Sequence, residues 1–142
     1  MEARLVDLVA GSLDKGIVVF LEVPEGSPMV GRGSDADLNV YNDIKTSDEK
    51  PLGLTPESEA SYKSSIATVS REHFVLSWKE GKLRVADYSS RGGTYVNEKK
   101  LFTGAEPAVL NEGDKIKAGR HVWQVQYVAQ PSVDTEEINV ID

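Results

Sequence analysis

The sequence predicts an all-β fold, a two-sheet antiparallel β-sandwich with its functional loops at one end. Two observations predict it. Short runs of β-branched and aromatic residues recur between Gly, Asn, Asp and Pro punctuation, the pattern of many short strands joined by turns. No helical periodicity extends beyond a turn or two.

The elements follow in order. Arg4 to Val9 alternates apolar and polar positions, with Leu5 and Val9 around charged Asp7, and Gly16 to Val23 carries the apolar run Ile17-Val18-Val19-Phe20-Leu21 before Pro24-Glu25-Gly26. Met29-Val30 and Leu38-Asn39-Val40 are short candidates. In His73 to Trp78, His73, Val75 and Ser77 alternate with Phe74, Leu76 and Trp78. Glu80-Gly81 turns the chain into Lys82 to Asp87, where Leu83 and Val85 share a face. Thr94-Tyr95-Val96 and Lys100-Leu101 flank a tight turn at Asn97-Glu98, and Lys115-Ile116-Lys117 and His121 to Val128 form a closing hairpin through Ala118-Gly119-Arg120. Trp78 and Trp123 read as core or half-buried strand residues, and His121 as a surface or edge histidine.

Two segments depart from this rhythm. Tyr41 to Ser65 is polar, with serines, acids, Pro51 and Pro56, and connections longer than roughly 12–15 residues in a compact domain are functional or disordered. It reads as a solvated loop, as a loop folded over a neighbouring site, or as the carrier of a phosphoacceptor at Thr55, before Pro56; Glu57 to Tyr62 has room for one helical turn. The acidic stretch from Gln130 reads as a flexible tail, so the expected organisation is one domain over 1–129 and a tail over 130–142.

Composition narrows the function. A chain of 142 residues with no cysteine can bury a core without disulfides, and it has no thiolate for zinc binding or nucleophilic catalysis. Two histidines are a poor supply for a metal site, so no metal and no cofactor is expected. No apolar run reaches the roughly 20 residues of a membrane span, and Met1-Glu2-Ala3-Arg4 opens no signal-peptide core; the expectation is a soluble, intracellular protein that binds no membrane. A formal charge of -7 argues against general nucleic-acid binding, which draws on lysine and arginine.

Three ordered signals point to chemistry: Gly31-Arg32, then Ser70-Arg71-Glu72-His73, then Ser90-Arg91-Gly92-Gly93-Thr94-Tyr95-Val96-Asn97. Each lies in a turn or at a strand end. A phosphate ester carries roughly -1.5 to -2 charge and three acceptor oxygens, and it is held by guanidinium groups, hydroxyls and backbone amides. Arg32, Ser70, Arg71 and Arg91 supply that set, and Gly92-Gly93 leaves amides accessible.

Over roughly Val18 to Val128 the ordered set resembles the forkhead-associated (FHA) domain, a β-sandwich whose end loops bind phosphothreonine. The resemblance implies that Arg32 and Ser70 contact the phosphate directly, that Arg91 contributes, and that His73 braces the loops from behind. It leaves Gly31, Gly93, Thr94 and Asn97 as structural support, with Asn97 holding the turn, while Asp87 caps the turn into Ser89-Ser90. Thr68, two residues before the motif serine, occupies a position that meets a ligand side chain beyond the phosphothreonine; being small and neutral, it argues against an acidic preference there. Gly92 departs from the family, which places an asparagine before the Gly-Thr pair to bond the peptide backbone. A neutral hydrogen bond is worth about 0.5–1.5 kcal/mol net, and a charged bond from Arg91, about 1.5–3 kcal/mol, can offset its loss.

The implied partners are phosphothreonine-containing proteins, and in eukaryotes often those of nuclear DNA-damage or cell-cycle signalling. The alternative is a phosphate-independent interaction or dimerisation domain on the same fold with a degenerate site. The tail adds two options: Ile138, Val140 and Ile141 between acids resemble a SUMO-interacting motif, and a phosphorylated Thr135 could enter the site. Catalysis is not expected. Ser70, His73 and Asp87 are the residue types of a hydrolase triad, but Ser70 and His73 lie roughly 10 Å apart along an extended chain and no nucleophile elbow frames the serine.

Overall fold

The architecture was obtained as a computed structural model, which describes residues 2–14 and 16–128. The tail readings at Thr135, Ile138, Val140 and Ile141 lie outside the described residues. In chain order the elements are β1 (Glu2–Asp7), α1 (Leu8–Leu13), β2 (Val19–Glu22), β3 (Met29–Gly31), β4 (Leu38–Asn39), β5 (Lys45–Thr46), α2 (Pro56–Ile66), β6 (Phe74–Lys79), β7 (Lys82–Asp87), β8 (Thr94–Val96), β9 (Lys99–Lys100), β10 (Ala108–Val109), β11 (Lys115–Ala118) and β12 (His121–Val128).

They form two sheets, one in the order β5-β2-β1-β12-β11-β8-β9 and the other β10-β7-β6-β3-β4. The expected sandwich is present. One edge differs from an all-antiparallel reading: β3 and β4 run parallel, with Val30 opposite Leu38. Alternation along β1, β12, β6 and β7 sends Leu5, Trp123, Val125, Phe74, Leu76, Leu83 and Val85 inward, each at most 1% exposed. Such side chains contribute roughly 1.5–3 kcal/mol each when fully buried. Phe74 and Trp123 meet edge to face across the sheets, ring centres 5.9 Å apart.

Three sequence expectations are corrected. The first strand stops at Asp7, not Val9, because the Asp7 carboxylate accepts the Ala10 N–H at 2.9 Å and so starts α1. The 41–65 segment is not structureless, and helical structure exceeds a turn or two: β5 pairs with β2, and α2 runs through eleven residues. Its start is set by Thr55, whose hydroxyl accepts the Ser58 N–H at 3.1 Å, with Pro56 in the first turn beside Glu57 and Glu59. Only Tyr62, Ser65 and Ile66 of α2 are buried, so its apolar stripe is too thin to announce a helix by periodicity.

The third correction concerns His121. It is fully buried, not at a surface or edge. Period two in β12 puts it on the face of Trp123 and Val125, beneath α2. There it lies within 2.9 Å of Asp7 Oδ2 through Nε2 and 2.8 Å of Ser65 Oγ through Nδ1, and Tyr62 donates its hydroxyl to the same Asp7 oxygen at 2.7 Å. Burial, then the Asp7 carboxylate, pushes the Tyr62 hydroxyl far above the usual tyrosine range, so it stays a donor. One buried carboxylate thereby ties β1, α1, α2 and β12 together. Tyr62→Phe, which deletes one donor from this network, is expected to lower stability by about 1–3 kcal/mol, read as a lower urea midpoint at unchanged slope; Asp7→Ala, which strips three donors of their acceptor, is expected to cost more.

Candidate functional site

The three sequence signals meet at one end of the sandwich, and Ser70 is where they join. Its carbonyl accepts the Arg32 N–H at 3.2 Å, its own N–H goes to His73 Nδ1 at 2.9 Å, and its hydroxyl oxygen accepts the Arg91 N–H at 3.0 Å. The next rung, Gly33 N–H to the Arg71 carbonyl at 3.1 Å, zips the two loops further. Gly31 sits so close to the Arg71 and Ser70 carbonyls that a Cβ there would overlap them, which explains a glycine before the arginine.

His73 is fully buried behind the loops. A backbone amide can only donate and a carbonyl can only accept, so its two contacts set its state: Nδ1 accepts from Ser70, and Nε2–H donates to the Gly93 carbonyl at 2.8 Å. Burial pushes the imidazole below its ordinary 6.5, against the opposing pull of the Gly93 carbonyl and the Asp87 carboxylate. Gly93 has a φ of +85°, the left-handed region that glycine tolerates, and its N–H reaches Ser90 Oγ at 2.9 Å.

Asp87 organises the third loop. Its carboxylate accepts the hydroxyls of Ser90 (2.6 Å), Thr94 (2.6 Å) and Thr103 (3.0 Å) and the Ser90 N–H (3.3 Å). Partial burial pushes the group up, but the hydroxyl and amide donors outweigh it and hold the carboxyl below its usual range. The candidate triad is therefore not assembled. Both nitrogens of His73 are committed to backbone groups, and neither reaches the Ser70 hydroxyl or Asp87.

Arg32, Ser70, Arg71 and Arg91 line one cleft. Arg32 Nε donates to the Val69 carbonyl at 2.5 Å, which aims the rest of the guanidinium while leaving its terminal nitrogens for a ligand. The Ser70 oxygen accepts from Arg91, and its O–H has no acceptor among the described residues, which leaves it to donate. The cleft, about 1040 Å³, is close in size to two other grooves of about 960 and 1000 Å³; chemistry distinguishes it. One of those grooves carries Glu2, Glu22, Glu25, Asp37 and Asp43 against Lys45 alone. The cleft carries Arg32, Arg71, Arg91 and Arg120 against Asp35 and Glu72. Among the described residues, no carboxylate lies within 4.0 Å of any of these four arginines.

The remaining candidates fall in several places. Gly92 is exposed in the cleft wall with no strained backbone, and a Cβ there would meet only Gly119 at 3.6 Å, an ordinary contact. The Thr68 hydroxyl donates to the Ser65 carbonyl at 2.6 Å and accepts the Arg120 N–H at 2.7 Å, so its polar atom is spent inside the protein. Thr94 is buried on Asp87. Asn97, at the opposite end of β8 from the cleft, holds the β8–β9 turn with a φ of 49° and bridges to Asp114 (3.0 Å) and the Lys115 N–H (2.9 Å).

Two contributors escaped the sequence reading. Asn39, buried between Leu38 and Val40, donates to the Arg32 and Gly33 carbonyls at 3.3 and 3.1 Å and accepts the Tyr41 and Asn42 amides; a polar residue inside an apolar run was its signal. Arg120, on the β11–β12 turn, carried none.

A β-sandwich that gathers several guanidinium groups, a serine hydroxyl and tight backbone turns at one end defines an anion-reading interaction module. The comparisons give the family. The FHA domain profile matches residues 29–119, and the chain belongs to the FHA family. The oxoglutarate dehydrogenase inhibitor of Corynebacterium efficiens is 32% identical over 112 residues, spanning 78% of this chain and 71% of that protein. Among solved structures, an FHA domain studied for phosphothreonine-dependent interactions superposes with a TM-score of 0.59 at 22% identity, covering 92% of this chain and all of that one. EmbR of Mycobacterium tuberculosis, in complex with a low-affinity phosphopeptide, gives 0.60 at 20% identity over 92% of this chain and 25% of its own. The matching inhibitor is bacterial, and the expectation of nuclear DNA-damage signalling finds no support. No helix of the described residues is long and apolar enough to cross a membrane.

The tautomer of His73 is open to direct test. Its native pKa is depressed, so the neutral form persists in the folded protein below pH 6.5 while the unfolded chain takes up the proton. The stability it contributes is full above 6.5 and is lost progressively as pH falls from there through the depressed native value. Nitrogen-15 NMR of the ring is expected to show the Nε2–H tautomer retained below pH 6.5; a protonated ring at that pH would contradict the assignment.

Proposed function

We propose that this chain is a phosphothreonine-recognition module, the function that FHA membership carries, and that the phosphate is held around Ser70. The observation that carries the residue assignment is the set of arginines with no carboxylate partner among the described residues, placed around a hydroxyl whose oxygen accepts the Arg91 N–H. A phosphate dianion only accepts hydrogen bonds. Arg32 offers its terminal nitrogens, Ser70 its O–H, and Arg71 and Arg91 line the approach with further charge-assisted donors. His73, Asp87, Gly31, Gly93 and Thr94 position these groups without touching ligand. Ligands in this reading are phosphothreonine segments of partner proteins, and the module works by binding alone.

Gly92 is the observation that favours a second reading, a phosphate-independent interaction domain, because it offers no amide to the bound peptide backbone. The two readings separate in fluorescence anisotropy against phosphothreonine, threonine and phosphoserine peptide pools. Saturable binding to the phosphothreonine pool is expected, weakened about 10–100-fold by Arg32→Ala, since a charge-assisted bond contributes about 1.5–3 kcal/mol. Partner binding that is indifferent both to phosphorylation and to Arg32→Ala would favour the second reading.

A gain of function is also expected. The backbone and space at Gly92 accept a side chain, so Gly92→Asn is expected to tighten phosphopeptide binding by up to about tenfold through one added hydrogen bond.

A further inference from the structure

Arg120 has no part in the phosphate grip described above, yet it lines the same cleft as Arg32, Arg71 and Arg91. It is exposed, and two observations set it apart from its neighbours. First, its position is fixed by α2 and the turn after it and not by Ser70: its N–H bonds Thr68 Oγ1 at 2.7 Å, and its Nη2 bonds the Ser64 carbonyl and hydroxyl of α2 at 3.2 and 3.1 Å. None of these three bonds is to Ser70, the residue that joins the Arg32 and Arg91 loops. Second, Ser64 engages only Nη2, and among the described residues no carboxylate lies within 4.0 Å. Nε and Nη1 have no hydrogen-bond partner among the described residues.

Charge counting points the same way. A phosphate monoester brings roughly -1.5 to -2, which the three charges of Arg32, Arg71 and Arg91 already exceed. Arg120 adds a fourth guanidinium, and neither Asp35 nor Glu72, the acids of the same cleft, lies within 4.0 Å of it. The Thr68 side chain offers no alternative reading of the ligand, because its hydroxyl is spent on Ser65 and on Arg120 itself.

We propose that Arg120 is a specificity-determining residue that takes a second anionic group of the ligand, a carboxylate or a further phosphate flanking the phosphothreonine. The proposal rests on the phosphothreonine reading above. It reverses the preference that neutral Thr68 suggests from sequence: the charge beside that position belongs to Arg120, and Thr68 holds it in place. It also gives the α2 segment a role, since Ser64 on its last turn fixes the guanidinium.

The test is a ratio measured within each protein. A phosphothreonine peptide with Ala flanks is compared with peptides in which Asp, then phosphoserine, then Lys is scanned through each flanking position. In the wild type, Asp or phosphoserine at one position is expected to bind about tenfold or more tighter than Ala there, as for a charge-assisted hydrogen bond. Arg120→Gln is expected to bring that ratio to about one, and Arg120→Glu to invert it in favour of Lys. A merely structural Arg120, capping α2 through Ser64, would weaken all peptides alike and leave the ratio standing; that result overturns the proposal. So does wild-type binding of the phosphothreonine peptides with no flanking preference for an anion, which leaves the phosphothreonine reading intact. Failure to bind any phosphothreonine peptide overturns both. The Asp and phosphoserine arms decide which anion fits.

Discussion

Three bonds to one residue register the Arg32, Arg71 and Arg91 side of the cleft. Ser70 gives its carbonyl to the Arg32 loop, its amide to His73 and its hydroxyl oxygen to the Arg91 loop, so three chain segments far apart in sequence take their spacing from it. That spacing decides function, because a guanidinium misplaced by an ångström loses the bidentate geometry that makes it selective for phosphate. His73 makes the arrangement rigid. It spans from the Ser70 amide to the Gly93 carbonyl inside the fold, and no other neutral side chain offers an acceptor and a donor on opposite sides of a flat ring at that separation.

The second histidine has a parallel role one layer further out. His121 and Tyr62 converge on Asp7, and Ser65 closes the set. This fastens α2, a helix with few apolar residues, to the end of the sandwich. Polar bonds in a buried setting are directional, and a missing member leaves an expensive orphan. Where hydrophobic area is scarce, such a network specifies one docking geometry. Because α2 then presents Ser64 to Arg120, the position of a cleft arginine is coupled to a carboxylate on the first strand.

Much of this was legible in the sequence, and what was not has physical reasons. The strands of the two sheets were readable because alternation is local: Phe74 and Leu76 announce their face without reference to the rest of the chain. The cleft was readable because its parts sit in short motifs at turns. α2 was not, since periodicity needs several buried positions and this helix has three; yet Thr55-Pro56-Glu57 is a start signal that depends on capping rather than on burial. His121 was misread from its neighbour Arg120, when its period-two companions Trp123 and Val125 held the answer. Asp7 was invisible as a hub because its partners, Tyr62 and His121, are joined to it only by tertiary structure. Arg120 had no signal at all: a turn arginine acquires meaning from what the fold places beside it.

The charge balance finally constrains what kind of ligand suits the cleft. The chain carries -7, and another groove is strongly acidic, so a long polyacidic segment is attracted by the arginines and repelled over that groove. At physiological ionic strength the Debye length is about 8 Å, which confines the attraction of Arg32, Arg71, Arg91 and Arg120 to groups already near the cleft. A ligand with its negative charge concentrated on the phosphothreonine, and at most one anion beside it, gains the full benefit of the site. A uniformly acidic ligand gives part of it back along the rest of the surface. Discrimination against such ligands needs no specific contact; it follows from placing a small cationic cleft on an acidic body.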